Sequence, residues 1–221
     1  MRSIVRRLYL NMKTQIDTIS VSGSAYEELQ NRSGALEFVD PRVKIMSTLV
    51  YIVPQFQKRL RETAPSIDSY KILDAGARDG WTVSLLNQLG FEQVLGVELV
   101  GQLVDHAQKR GRNVVKGDIQ ALDLPDNEFH LVLCRHTLEH TTNPRLAIQE
   151  LVRVCAPDGM ILITLPIERN ARGKHTTAIP NIRLLKGLVR GLPVSILKAG
   201  RSASTGVIQP DGDEGLLLLQ K

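Results

Sequence analysis

The segment from Ile72 to Gly80 constrains the fold of this 221-residue chain more than any other stretch. Its residues, Ile-Leu-Asp-Ala-Gly-Ala-Arg-Asp-Gly, lead from an apolar run through an acid into a glycine-containing turn, and a helical pattern follows. Glycines let backbone N–H groups approach a ligand closely, and the first turn of a helix carries partial positive charge. The segment is therefore typical of the first strand, loop and helix of a parallel α/β sheet that binds a nucleotide-sized ligand.

Short apolar runs alternate with amphipathic runs along the rest of the chain. The pattern predicts strands at 71–74, 93–98, 113–116, 129–134 and 160–165, and helices at 80–89, 101–110, 146–155 and 181–189. Strands that are separated by helices pair in parallel, and helices then cover both faces of the sheet. The expected class is therefore α/β.

A breaker at Ala64-Pro65-Ser66 divides the chain. We expect residues 1–65 to form an N-terminal extension or lid, partly helical from Pro41, and residues 66–221 to form the core. The first residues are basic and apolar, as in a transit peptide, but a clear cleavage site is lacking and acids return from Asp17. A peripheral segment that packs against the core is the favoured interpretation.

Composition narrows the function classes. The net charge of +5 and the pI of about 9.4 are only mildly basic, and nine aromatic residues (four Phe, four Tyr, one Trp) offer few platforms for stacking on RNA bases. No segment reaches the ~20 apolar residues of a membrane helix. Cys134 and Cys155 fall in apparently buried elements, which favours a reducing, cytoplasmic location without disulfides.

The predicted topology brings several polar residues to one edge of the sheet. In open α/β sheets, ligands bind outside the carboxyl ends of the strands. The loop from Asp74 to Gly80 follows the first strand, Glu98 closes the second, Asp118 follows the third, and Cys134 closes the fourth. An acid at the position of Glu98 is placed to accept hydrogen bonds from a ribose diol.

Several blocks together resemble class I S-adenosylmethionine-dependent methyltransferases, particularly the small-molecule group called type 11. The blocks are residues 72–80, 97–99, 117–126, 129–140 and 150–159. The resemblance extends over roughly residues 70–166. It implies a Rossmann-like, doubly wound, mainly parallel seven-stranded sheet with an antiparallel C-terminal hairpin strand, and residues 194–198 and 215–220 fit that hairpin.

The resemblance also implies S-adenosyl-L-methionine as cofactor and assigns it a set of contacts. Asp74, Gly76, Ala77, Arg78 and Gly80 belong to the loop under the methionine part, Glu98 to the ribose, Leu99, Asp118 and Ile119 to the adenine, and Cys134 to the region of the sulfonium. Arg78 departs from the family pattern, which usually has a glycine there. Its side chain would crowd the cofactor, turn outward, or pair with the cofactor's carboxylate.

Three histidines are the catalytic candidates: His136, His140 and His175. A base of this kind assists transfer to a hydroxyl or a protonated amine. With Glu139, they also resemble the metal-binding pattern of some ubiquinone-type and small-RNA 2′-O-methyltransferases. We predict no metal, because Leu-Glu-His at this point is widespread in the type 11 group without one.

The predicted function is methyl transfer to a small or medium-sized acceptor at oxygen, nitrogen or carbon, achieved mainly by positioning the reactants. Two alternatives stay open. One is a nucleic-acid or protein methyltransferase, supported by the basic charge. The other is a degenerate, non-catalytic cofactor-binding module, supported by Arg78. The sequence leaves the oligomeric state open.

Overall fold

A computed structural model describes residues 69–88, 90–202 and 214–221. The predicted N-terminal extension, with its helix from Pro41, lies outside the described residues. The boundary near residue 65 therefore stays a prediction.

The strands in the described part of the chain are β1 (Ile72–Ala75), β2 (Val94–Glu98), β3 (Val114–Lys116), β4 (Phe129–Arg135), β5 (Cys155–Pro166), β6 (Ser195–Ser202) and β7 (Glu214–Gln220). These seven strands form a single sheet in the order β3-β2-β1-β4-β5-β7-β6. The first five pair in parallel, and β7 lies antiparallel to both β5 and β6. The predicted parallel sheet with an antiparallel strand from a C-terminal hairpin is confirmed.

The described helices are α1 (Trp81–Gln88), α2 (Gly101–Gln108), α3 (Pro144–Val154) and α4 (Ile182–Leu188), and a 3₁₀ turn spans Leu138–His140. The third helix starts before the predicted residue 146. Asn143 caps it, because its Oδ1 accepts a hydrogen bond from the Leu146 N–H at 3.0 Å, and Pro144 suits the first helical position.

The fifth strand begins earlier than predicted. Phe129 pairs with Cys155, whereas Leu131 pairs with Met160, so extra residues of β5 bulge between the two pairs. Asp158 lies in this bulge with a left-handed backbone, at φ 62°. The sequence Pro157-Asp158-Gly159 is typical of a turn, and the structure accommodates that turn inside the strand.

The strands have apolar side chains on both faces because helices cover both sides of the sheet. Ile72 packs with Val83 and Leu86 of α1 in one buried cluster. Its neighbour Leu73 packs with Ile148 and other α3 residues in a second cluster on the opposite face. This two-sided burial explains why the strands appear as continuous apolar runs in the sequence.

The strand order reverses between β1 and β4. From β1 the chain moves outward through β2 to β3, and it then returns to place β4 on the other side of β1. Ligands of open α/β sheets bind at this switch point, beyond the carboxyl ends of the strands. None of the helices in the described part of the chain has the length and apolar character that a membrane crossing requires.

Candidate cofactor and acceptor site

The loop after β1 folds over the end of β2. The backbone N–H groups of Gly76 and Ala77 both donate to the carbonyl of Val97, at 2.8 and 2.9 Å. Gly76 has a φ of +87°, and a Cβ at this residue would lie 2.1 Å from Oγ1 of Thr137. Position 76 therefore requires glycine for both its conformation and its close contact with the segment after β4.

Arg78 adopts the backbone conformation that glycine prefers, with a φ of 51°. Its backbone N–H donates to Oε2 of Glu98 at 2.9 Å, while its side chain is exposed. The loop therefore keeps its path despite the non-glycine residue, at a cost of about 1–2 kcal/mol in backbone strain. An exposed Arg78 side chain fits both an outward orientation and pairing with a ligand carboxylate, so these two arrangements stay predictions.

Glu98 organises the end of β2. The residue is 8% exposed, and its Oε1 accepts from the Val100 N–H at 2.9 Å while its Oε2 accepts from the Arg78 N–H. Each carboxylate oxygen retains a second acceptor position for a ligand hydroxyl. The next residues, Leu99 and Val100, are 59% and 49% exposed, so an apolar surface lies beside the carboxylate.

The end of β3 lies against the same strand. The Gly117 N–H donates to the carbonyl of Glu98 at 3.0 Å, which brings the following acid into this region. One carboxylate oxygen of Asp118 accepts from the Gln120 N–H at 2.8 Å, and Ile119 is buried. The structure thus brings together the loop and the two acids that the sequence predicted to lie at one edge.

Asp74 and Cys134 lie near the carboxyl ends of β1 and β4, the strands on either side of the switch point. Asp74 is 3% exposed, and this burial raises its pKa to about 6 although Arg135 and a hydrogen bond from Thr82 act in the opposite direction. Cys134 neighbours β1 in register with Ala75. Burial raises the pKa of the Cys134 thiol well above its usual range, so this residue is unsuited to act as a nucleophile.

His136, the first residue after β4, lies between two carboxylates. Its Nε2 is 3.0 Å from Oε1 of Glu214, and its Nδ1 is 3.5 Å from Oε1 of Glu139. Burial alone would lower its pKa, but these two partners raise it to about 9. His136 is therefore protonated near neutral pH, which favours an electrostatic role over proton abstraction.

The other two catalytic candidates meet each other. The rings of His140 and His175 pack edge to face with their centroids 5.0 Å apart. The segment that carries His175 is held to the 3₁₀ turn, because the N–H groups of Thr176 and Thr177 donate to the Glu139 carbonyl at 2.8 and 3.0 Å. The structure places Glu139 in the same cluster as these two histidines.

Two acids of this region were missed by the sequence reasoning. Glu214 reaches His136 because β7 pairs with β5 in a register that sets Glu214 opposite Pro166. Glu168 lies 2.7 Å from Nδ1 of His175 and holds that ring. No local sequence signal marks Glu214, because it reaches His136 across a separation of 78 residues.

Sequence comparisons agree with this arrangement. Residues 73–163 match the profile of a family described as a methyltransferase domain. An uncharacterised methyltransferase of Bacillus subtilis, YcgJ, is 28% identical over 46% of this chain and 43% of its own length. A malonyl-[acyl-carrier protein] O-methyltransferase of Halorhodospira halophila is 31% identical over 42% of this chain and 33% of its own length. The matched region thus spans less than half of either relative.

Solved structures share the fold. An S-adenosylmethionine-dependent methyltransferase from Mesorhizobium loti aligns with a TM-score of 0.58 at 15% identity, over 77% of this chain and 97% of its own. The sheet order, the switch-point loop and the acids define a class I methyltransferase fold. Residues 73–163 match the methyltransferase domain family, and together with the shared fold this match supports a class I S-adenosylmethionine-dependent methyltransferase domain in this part of the chain.

Proposed function

We propose that this chain binds S-adenosyl-L-methionine at the edge formed by the 74–80 loop, Glu98 and Asp118, and transfers its methyl group to a small or medium-sized acceptor. The observation that carries the proposal is the convergence of three strand ends on Glu98. The Arg78 N–H donates to the Glu98 carboxylate on one side, and the Gly117 N–H donates to the Glu98 carbonyl on the other.

The residues suit the chemical parts of this cofactor. Glu98 keeps acceptor positions for the two ribose hydroxyls, and the exposed Leu99 offers an apolar surface for the adenine. Asp118 is a suitable acceptor for the adenine amino group, with the buried Ile119 beside it. We assign the methionine part of the cofactor to the loop around Gly76 and the region of the sulfonium to the backbone of Cys134.

Methyl transfer requires the protein mainly to position the two reactants. When bound, the cofactor supplies an electrophilic methyl group on a sulfonium, and the chain must align an acceptor with it and exclude water. Among the histidines, His136 is poorly suited to accept a proton, because two carboxylates hold it protonated. We assign the acceptor side of the site to the 168–177 segment and the 3₁₀ turn.

Support for a small or medium-sized acceptor comes from the composition, which lacks the aromatic platforms and dense positive charge of a dedicated nucleic-acid binder. The relative from Halorhodospira is named for O-methylation of malonyl-[acyl-carrier protein]. We therefore propose acceptors with oxygen, nitrogen or carbon nucleophiles, and a carboxylic acid or hydroxyl compound is the first class to screen.

Calorimetry with S-adenosylhomocysteine and its 2′-deoxy analogue tests the cofactor site. Charge-assisted hydrogen bonds contribute about 1.5–3 kcal/mol, so we expect Glu98→Gln to weaken binding of the complete ligand about 10- to 100-fold. For the 2′-deoxy analogue, the affinities of wild type and Glu98→Gln should differ much less, because this ligand lacks one of the hydroxyls that Glu98 would bind. Glu92→Gln, at an exposed glutamate, is the matched control and should bind normally.

Two results would contradict the proposal. The absence of binding by either S-adenosylmethionine or S-adenosylhomocysteine would remove the cofactor site. An equal effect of Glu98→Gln on both ligands would show that Glu98 supports only the loop. Binding without methyl transfer to any acceptor of the screened classes would instead favour the non-catalytic cofactor-binding module.

A further inference from the structure

A buried carboxylate in the acceptor region lacks part of its expected hydrogen bonding. Glu139 is 2% exposed, and its Oε1 faces His136 at 3.5 Å. Its Oε2 is fully buried and has no hydrogen-bond partner within the part of the chain that the structure describes. A buried carboxylate oxygen left without a partner is costly, so this atom points to a ligand that would satisfy it.

Two imidazoles lie next to this carboxylate, and one nitrogen of each ring is left to bind a metal ion. Nδ1 of His140 lies 3.2 Å from the carbonyl of Lys174, and Nδ1 of His175 lies 2.7 Å from Oε1 of Glu168. With Nδ1 protonated toward these oxygens, each ring presents a lone pair on Nε2. Metal-binding histidines are commonly held by a carbonyl or carboxylate on the other nitrogen in this way.

The three side chains are close enough to share an ion. One carboxylate oxygen of Glu139 and one ring nitrogen of each histidine all lie within 4.8 Å of one another. Ligands at the ~2.0–2.1 Å bond lengths of Zn²⁺ lie roughly 3.3 Å apart in a tetrahedron. Closing the cluster around an ion therefore requires each pair of ligand atoms to approach by no more than about 1.5 Å.

We propose that Glu139, His140 and His175 form a binding site for a divalent transition-metal ion, with Glu168 orienting His175. Two imidazoles and one carboxylate suit Zn²⁺, Co²⁺ and similar ions better than Mg²⁺ or Ca²⁺, which prefer sites made of oxygen ligands. Three protein ligands leave at least one coordination position open. This proposal differs from the sequence-based prediction of no metal, and it does not depend on cofactor binding.

A titration of the full chain with Co²⁺ tests the site without any assay of methyl transfer. The protein is prepared without an affinity tag and freed of metal by a chelator. We expect one Co²⁺ to bind per chain and to give a visible absorption band typical of four- or five-coordinate Co²⁺. One equivalent of Zn²⁺ should displace the Co²⁺ and abolish the band. Mg²⁺ in excess should not displace it.

Variants then assign the ligands. His140→Ala and Glu139→Gln should each weaken Co²⁺ binding at least tenfold, and Glu168→Gln should weaken it about 10- to 100-fold through loss of its hold on His175. The matched control is His106→Ala, at an exposed histidine of α2, and it should bind like wild type. The sequence has five histidines. Because His106 lies outside the proposed site, its variant reports any Co²⁺ that binds to a surface imidazole.

Circular dichroism and thermal melting confirm that each variant is folded before its affinity is compared. The exposed His140 provides the ligand variant with the least structural risk. The proposal is overturned if wild type gives no Co²⁺ band, or if folded His140→Ala binds Co²⁺ as tightly as wild type. It is equally overturned if His106→Ala loses as much affinity as His140→Ala.

Discussion

The buried carboxyl of Asp74 makes the stability of this protein depend on pH in a way that Asp74→Asn would remove. Burial raises its pKa from 3.8 to about 6. The folded state therefore binds this proton more tightly than the unfolded state does. The contribution of Asp74 to stability consequently grows as the pH falls from about 6 to about 4, and it vanishes above about pH 7.

The magnitude follows from the size of the shift. A change of about two pKa units corresponds to about 3 kcal/mol at full protonation, since each unit is worth about 1.36 kcal/mol. Most of this, about 2–3 kcal/mol, should appear between pH 7 and pH 4. Other carboxylates titrate in the same window, so the informative quantity is the difference between wild type and Asp74→Asn at each pH.

Urea unfolding followed by circular dichroism gives that difference. The free energy of unfolding of wild type, minus that of Asp74→Asn, should rise by about 2–3 kcal/mol when the pH is lowered from 7 to 4. Asp105→Asn, at an exposed residue of α2, should show no such trend. Parallel pH profiles for wild type and Asp74→Asn would refute the argument from burial.

Three further substitutions test the backbone strain at Arg78, the packing at Gly76 and the hydrogen bonds of Arg153. Arg78→Gly should relieve the left-handed strain and leave the protein between unchanged and about 1 kcal/mol more stable, with S-adenosylhomocysteine affinity within about threefold of wild type; a strong gain in affinity would mean that Arg78 impairs the loop. Gly76→Ala should cost at least about 2 kcal/mol in the unfolding free energy, because its Cβ would overlap Thr137; an unchanged melting temperature would argue against this packing. Arg153→Ala should cost about 2 kcal/mol by the same assay, because Arg153 bonds to Glu150 and to the carbonyls of Leu122 and Leu124; a loss under about 0.5 kcal/mol would show that solvent screens these contacts.

The parts of the fold that were predictable are those whose signal is local. Ile72 and Leu73 pack on opposite faces of the sheet, and burial on both faces leaves an apolar run in the sequence. The location of Glu98 was predictable because an acid that ends such a run must lie at the carboxyl edge of the sheet. The start of β5 was not predictable, because its pairing with Phe129 accommodates a turn signal inside a strand.

Other features of the site depend on contacts between distant segments. His136 meets Glu214 across a sequence separation of 78 residues, through the register of β5 and β7. The cluster of His140 and His175 was anticipated as a candidate set, but its geometry depends on the hydrogen bonds from Thr176 and Thr177 to the 3₁₀ turn. Sequence spacing alone gives neither pairing.

Arg78 shows how the structure changes the weight of a sequence departure. A missing glycine suggested a weakened loop, yet Arg78 takes up the left-handed backbone and donates to Glu98. Arginine at this position therefore costs about 1–2 kcal/mol in backbone strain, and it leaves the path of the loop unchanged.

The most direct test of the central claim is a crystal structure of the full chain with S-adenosylhomocysteine. We predict that the ribose hydroxyls lie within hydrogen-bond distance of the Glu98 carboxylate, with the adenine between Leu99 and Ile119 and its amino group near Asp118. A ligand bound elsewhere, or a ribose that makes no contact with Glu98, would contradict the account.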